Sequence, residues 1–147
     1  MIIKGYTIEP GAVLTGADLS GTDLSRVDLT GANLSQANLR GSLMRGADLP
    51  EADLREADLS GASLSRADLS GAILRGADLT GADLHAAELY KADMHGAYLR
   101  GTNLTQANLR EASLRAADLT EADMDAADVT GADLTGAQMP DGQSTEA

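Results

Sequence analysis

A large aliphatic side chain stands at every fifth position from Leu14 to Met139, without one insertion or deletion, through 26 consecutive units. Leu fills 21 of these central positions, and Met44, Met94, Met124, Val129 and Met139 fill the rest. Two residues earlier the chain is Ala in 22 of the 26 units, with Thr22, Val27, Ser42 and Thr102 as the exceptions. The unit is therefore A-(D/N)-L-x-x. Period five excludes both common regular structures. An α-helix turns about 100° per residue, so a five-residue step rotates the leucine by about 140° and scatters the set around the cylinder. In a flat strand five is an odd step, which sends successive leucines to opposite faces. One continuous core forms only if each unit holds a short extended piece, with Ala and Leu inward and the residue between them outward, followed by a bend that resets the phase.

The bend falls two residues after the central one, where Gly occurs in 13 of 26 units, as at Gly16, Gly21, Gly31 and Gly131. Gly tolerates positive φ at no steric cost. The remaining bends carry Arg, Gln, Glu, Lys, Ala or Asp, so the expectation is that the corner does not always demand positive φ. Run in tandem, ADLSG, ANLSQ, ADLRE and ADLTG resemble the pentapeptide-repeat family over about residues 12–141. The resemblance implies an all-β solenoid: a right-handed quadrilateral β-helix with four pentapeptides per coil. The 26 units then make about 6.5 coils, and a strand spacing of about 4.8 Å makes a rod about 30 Å long. Ala suits the second inward position because Leu from four walls already fills the interior, and another large side chain would overpack it. Val27 is where local widening is expected.

Residues 1–11 fall outside the register and bring Ile2, Ile3, Tyr6 and Ile8, which suggests an N-terminal capping segment over the open end of the core. The organisation expected is thus a cap at 1–11, a pentapeptide-repeat β-helix at 12–141 and a polar, frayed C-terminal tail at 142–147.

Function is bounded mainly by exclusion. Without Cys there is no thiol nucleophile, disulfide or cysteine-based zinc site. His85 and His95 lie two walls apart and cannot share a metal or substrate. Thirteen Ser or Thr follow the central residue, but none has His and Asp in a triad relation. No enzyme activity, catalytic residue, cofactor or metal is expected. A net charge of -12 repels phosphate, which argues against direct binding to nucleic acid or anionic membrane. MIIKGYTIEPG lacks the apolar core of a signal peptide and no stretch approaches the roughly 18 apolar residues of a span, so a cytoplasmic protein is expected.

Folded at period 20, the sequence places Asp28, Asp48, Asp68, Glu88, Asn108 and Asp128 on one wall as an acidic ladder, and Arg55, Arg75, His95 and Arg115 on another as a basic strip. Two readings follow. The first is a protein-interaction or scaffold rod with an unidentified protein partner, for which Tyr98 and Arg100, flanking Leu99, are the best anchor pair. Leu43, Ile73 and Tyr90 also break the pattern outward, on other walls. The second reading comes from the resemblance: acidic members of the family mimic DNA and regulate the type II topoisomerase gyrase. Twelve charges over about 30 Å is one per about 2.5 Å, against one per about 1.7 Å in duplex DNA. The basic strip, the uninterrupted repeat and the lack of Phe at any central position oppose it, and Asp or Asn bonding the nearby backbone accounts for much of the acidity. Finally, Leu119, Met124, Val129, Leu134 and Met139 are candidates for an exposed C-terminal end, and a weak C-terminal homodimer is expected there.

Overall fold

The computed structural model describes residues 1–142, 144 and 145. From Val13 onward the backbone pairs in parallel with itself at a fixed offset, Asp28 with Asp48, Asp48 with Asp68 and Asp68 with Glu88, so each coil consumes four pentapeptides. The molecule is a β-solenoid. Each wall contributes a single ladder position per coil, because the chain bends again before a second residue can pair. Formal strands are therefore confined to Ile2–Ile3 and Tyr6–Thr7 among the described residues.

The amide hydrogens of one unit explain its sequence. The central residue donates to the next coil, as Leu69 N does to Glu88 O at 2.7 Å, and the residue before it donates to the previous coil, as Asp68 N does to Ala47 O at 2.9 Å. The corner residue donates onward, as Arg66 N does to His85 O at 2.9 Å. The Ala amide closes the turn, as Ala17 N does on Leu14 O at 3.0 Å. One amide is left, that of the residue after the central one, and no backbone carbonyl accepts it. The Asp or Asn side chain does: Ser20 N donates to Asp18 Oδ1 at 3.1 Å, Ser35 N to Asn33 Oδ1 at 3.0 Å and Thr135 N to Asp133 Oδ1 at 3.0 Å. An open backbone donor is costly wherever water cannot reach it, and this cap supplies the acceptor within the unit itself.

Every corner from Gly16 to Gly136 has positive φ, including Arg26 at 62°, Glu51 at 59° and Ala86 at 56°. The expectation that non-Gly corners escape this conformation is thus overturned. The turn closed by the amide of the small residue carries its second central residue at positive φ, the signature of type II geometry, and this closing bond is made at every corner whatever side chain is present, including Ala126, which has no inter-coil bond.

Inside, Leu19 through Leu119 are fully buried with Met44 and Met94 in the same columns, and Ala lines the remaining positions. Two of the larger residues at the small site have long turn bonds, Thr22 N and Val27 N reaching Leu19 O and Leu24 O at 3.4 and 3.3 Å, while Thr102 and Ser42 close theirs at 3.1 Å as Ala47 does. Val27 itself is half-buried and packs against the core from its edge. The buried hydroxyls of Thr22, Ser42 and Thr102 donate to Leu19 O, Leu39 O and Leu79 O, which removes the cost of burying them.

At the N-terminus, β1 (Ile2–Ile3) and β2 (Tyr6–Thr7) form an antiparallel hairpin across Lys4 and Gly5, both at positive φ as a two-residue hairpin turn requires. Ile3 and Tyr6 pack on the core and Ile8 is buried in it. At the other end, Gln143, Glu146 and Ala147 of the expected tail lie outside the described residues. Ser144 and Thr145 are not frayed. Ser144 bridges antiparallel to Gln138, Thr145 N donates to Ala137 O at 2.7 Å, and the Thr145 hydroxyl donates to Leu134 O.

Candidate interaction surface

Because the Asp and Asn side chains cap turns, the outer wall is built before any partner is considered. Asp28 Oδ1 accepts both Thr30 N and the Thr30 hydroxyl, at 3.0 and 2.6 Å, and Asp128 repeats the arrangement with Thr130. The Thr hydroxyl and then the backbone N–H stabilise each carboxylate and hold it below its usual range. Asp68 caps Ser70 at 2.9 Å. Glu88, one methylene longer, instead accepts from Asn108 Nδ2 at 2.8 Å across the coils. Asp48 caps nothing, because Pro50 has no N–H to offer. The ladder is real as geometry, since Asp28, Asp48, Asp68, Glu88, Asn108 and Asp128 bridge in sequence. Its charge stops at Glu88, because Asn108 is neutral and Arg110 pairs with Asp128 at 3.2 Å.

A second regularity went unread in the sequence. An Arg after the central residue reaches diagonally to the Asp eighteen positions on, as Arg40 does to Asp58, Arg110 to Asp128 and Arg115 to Asp133. Arg75 pairs with Asp93 and Arg100 with Asp118 in the same sense. Arg55 meets Ile73 at that offset and turns back on Asp53 at 2.6 Å. The three arginines of the basic strip, Arg55, Arg75 and Arg115, are therefore ion-paired, and the strip is not a free cationic face. The signal of the diagonal pairs in the sequence was the offset of eighteen, which is one coil less the two residues separating Arg from its own capping position.

The remaining candidates are placed as follows. Tyr98 is 54% exposed and interrupts the column between Asp78 and Asp118, with Arg100 beside it on the same wall. Leu43 and Tyr90 are exposed on two other walls, so no single apolar face joins them to Tyr98. His85 Nδ1 lies 2.7 Å from Thr105 Oγ1, away from His95. At the C-terminal end Val129 is exposed and Met124, Leu134 and Met139 are half-buried, but Leu119 is fully buried. Leu119 belongs to the covered coil, since its amide donates to Gln138 O, and it drops out of the candidate dimer end. No group of three or more His, Cys, Asp or Glu positioned to hold a metal occurs among the described residues, and no helix among them is long and apolar enough to cross a membrane.

Comparison with known proteins agrees with this architecture. The family model described as pentapeptide repeats matches residues 11–46, 37–76, 62–101 and 97–136. No curated protein matches. Among solved structures, a pentapeptide repeat protein of the Arabidopsis thaliana thylakoid lumen is 34% identical, covering 71% of this chain and 70% of its own, with a TM-score of 0.60. HetL, a pentapeptide repeat protein involved in heterocyst differentiation regulation in Nostoc sp. strain PCC 7120, is 34% identical over 90% of this chain and 86% of its own, with a TM-score of 0.38. QnrB1, a plasmid-mediated fluoroquinolone resistance protein, is 22% identical over 86% of this chain and 71% of its own, with a TM-score of 0.46.

Proposed function

The chain belongs to the pentapeptide repeat family, and from that premise we propose that it is a non-catalytic interaction rod, presenting the walls of a right-handed four-sided helix of about 6.5 coils to a protein partner in the cytoplasm. The observation that carries this reading is the Tyr98–Arg100 pair. A half-exposed aromatic ring stands in a column that otherwise holds Asp, Asn or Gln, next to an Arg whose carboxylate partner Asp118 lies at a loose 3.8 Å. Tyr and Arg are among the side chains most often found as binding anchors. Affinity capture with the wild type, a Tyr98→Ala/Arg100→Glu variant and a ladder variant tests it. A partner held by the wild type and the ladder variant but lost from the Tyr98→Ala/Arg100→Glu variant supports the reading, and identical capture by all three refutes it.

A DNA-mimicking regulator of gyrase is the second reading. It is favoured by the four acidic rungs Asp28, Asp48, Asp68 and Glu88, stacked without interruption on one wall. A supercoiling assay decides it: inhibition or drug protection by the wild type, abolished by Asp48→Lys/Asp68→Lys, is required.

A further inference from the structure

On the wall whose inward column runs through Leu24, Met44 and Leu64, two consecutive coils lack the turn cap, because Leu43 and Ser63 stand where Asp or Asn would be. The amides of Arg45 and Ser65 consequently have no acceptor, and no other wall leaves two such amides open on adjacent coils among the described residues. The same omission strips Arg45 of its ion pair. The position eighteen residues on is Ser63, whose hydroxyl accepts from Arg45 Nε at 3.1 Å but carries no charge. Around this gap lie two further unpaired cations, Arg26 and Arg66. Among the described residues, seven of the 11 Lys and Arg are ion-paired, and of the four that are not, Arg26, Arg45 and Arg66 share one notch while Lys91 stands over the Tyr90 ring.

The notch encloses about 260 Å³ and is lined by Arg26, Arg45, Gly46, Ser65 and Arg66, with no carboxylate. Gly46 leaves the middle of the corner column bare, and the Arg26 stem lies against it, its Cγ 3.6 Å from where a Cβ would be. The acidic ladder begins two residues beyond this corner, yet Asp28 and Asp68 are engaged with Thr30 and Ser70 and neither they nor Asp48 pairs with these arginines. Three like charges side by side repel unless an anion joins them. We infer that this notch is an oxyanion site for a doubly charged phosphate group, whose oxygens take the places of the missing Asp Oδ1 on the Arg45 and Ser65 amides while the guanidinium groups supply the countercharge. Arginine forks suit phosphate geometry, and open backbone amides are the other common phosphate donors. Of the charge of -12 on the whole chain, carboxylates beyond about 10 Å are screened at 0.1 M salt, so the three guanidinium groups are opposed chiefly by the neighbouring ladder of Asp28, Asp48 and Asp68.

The test is an NMR titration with inorganic phosphate against sodium chloride at matched ionic strength, following the Arg45 and Ser65 amides and the Nε–H groups of Arg26, Arg45 and Arg66. Saturable shifts confined to these groups are expected. Ser63→Asp restores the cap on Ser65 and the diagonal partner of Arg45, so it should fold normally and lower phosphate affinity at least about tenfold, as should Arg66→Gln. Shifts spread equally over Arg110 and Arg115, or a Ser63→Asp variant that binds phosphate like the wild type, would overturn the assignment. A phosphoserine peptide binding more tightly than free phosphoserine would identify the group as one carried on a protein chain, and equal binding would identify a free ester.

Discussion

Leu69→Ala, at the middle of the rod, gauges how rigidly the backbone ladder holds the core. The Leu69 side chain is fully buried between Leu49 and Leu89, which occupy the same column one coil to either side. Truncation removes the transfer free energy of the lost carbons and leaves a cavity, together about 2–5 kcal/mol in buried sites. The loss should fall in the upper half of that range. Coils cannot slide together to fill the gap, because Leu69 N to Glu88 O and Asp68 N to Ala47 O fix their separation on both sides. A loss of about 3–4 kcal/mol corresponds to a Tm drop of roughly 10 °C for a chain of this size. Thr80→Ala is the control: Thr80 is exposed and its cap on Asp78 uses the backbone N–H, so the change should stay within about 0.5 kcal/mol. Denaturant titration of the two variants compares them, and equal losses would refute the inward assignment of the central residue.

Ala86, at a φ of 56°, should gain about 1 kcal/mol on replacement by Gly, and Gly81→Ala, at 67°, should lose a similar amount; thermal melts in which both changes are silent would remove strain from the account of the corner. The Asp133 carboxyl is held at about 2 by the Thr135 hydroxyl, then the Thr135 N–H and then Arg115. Since its folded value lies below the ordinary 3.8, the stabilisation is present above that pH and is lost as pH falls toward about 2; a carboxyl titration followed by NMR should show this midpoint, and Thr135→Val should raise it. The C-terminal end, with Met124, Val129, Leu134 and Met139 partly uncovered beside Asp123 and Asp125, should form a weak dimer that tightens as salt screens the carboxylates. Sedimentation showing a monomer at both low and moderate salt, or a dimer indifferent to Leu134→Lys, would reject it.

The inward columns were legible because a period of five has only one solution that buries Leu and Ala together, and nothing in 26 units disturbs it. Corner geometry was not legible. Composition at that position looked permissive, with Glu, Arg, Ala and other residues together as common as Gly, yet the turn closed across each corner imposes one conformation on all of them from Gly16 to Gly136. Arg–Asp pairing was hidden for a related reason: side chains after the central residue lean toward the next coil, so Arg115 finds Asp133 and not its neighbour Ser113. Thr145 N returns to Ala137 O because no following coil supplies the amide that the other Ala carbonyls accept, a demand created by the end of the ladder and absent from the polar composition of the tail.

The cap also separates two meanings of the acidity. A turn amide needs only an Oδ1 acceptor, and Asn33, Asn38, Asn103 and Asn108 meet that need as Asp does. Charge strengthens such a bond, which is reason enough for Asp to be common, but stacking carboxylates about 4.8 Å apart opposes it. Asp48 stands outside that trade, because with Pro50 two residues on it has nothing to cap and still carries its charge within the ladder. Replacing Asp28, Asp48 and Asp68 by Asn should therefore keep each available cap, leave Tm changed by no more than a few degrees and remove three charges from one wall. If that variant binds every partner as the wild type does, the ladder is a solvated by-product of turn chemistry. If binding falls while Tyr98→Ala has no effect, the wall of Leu29 and Leu69 is the working face, and the Tyr98–Arg100 reading fails.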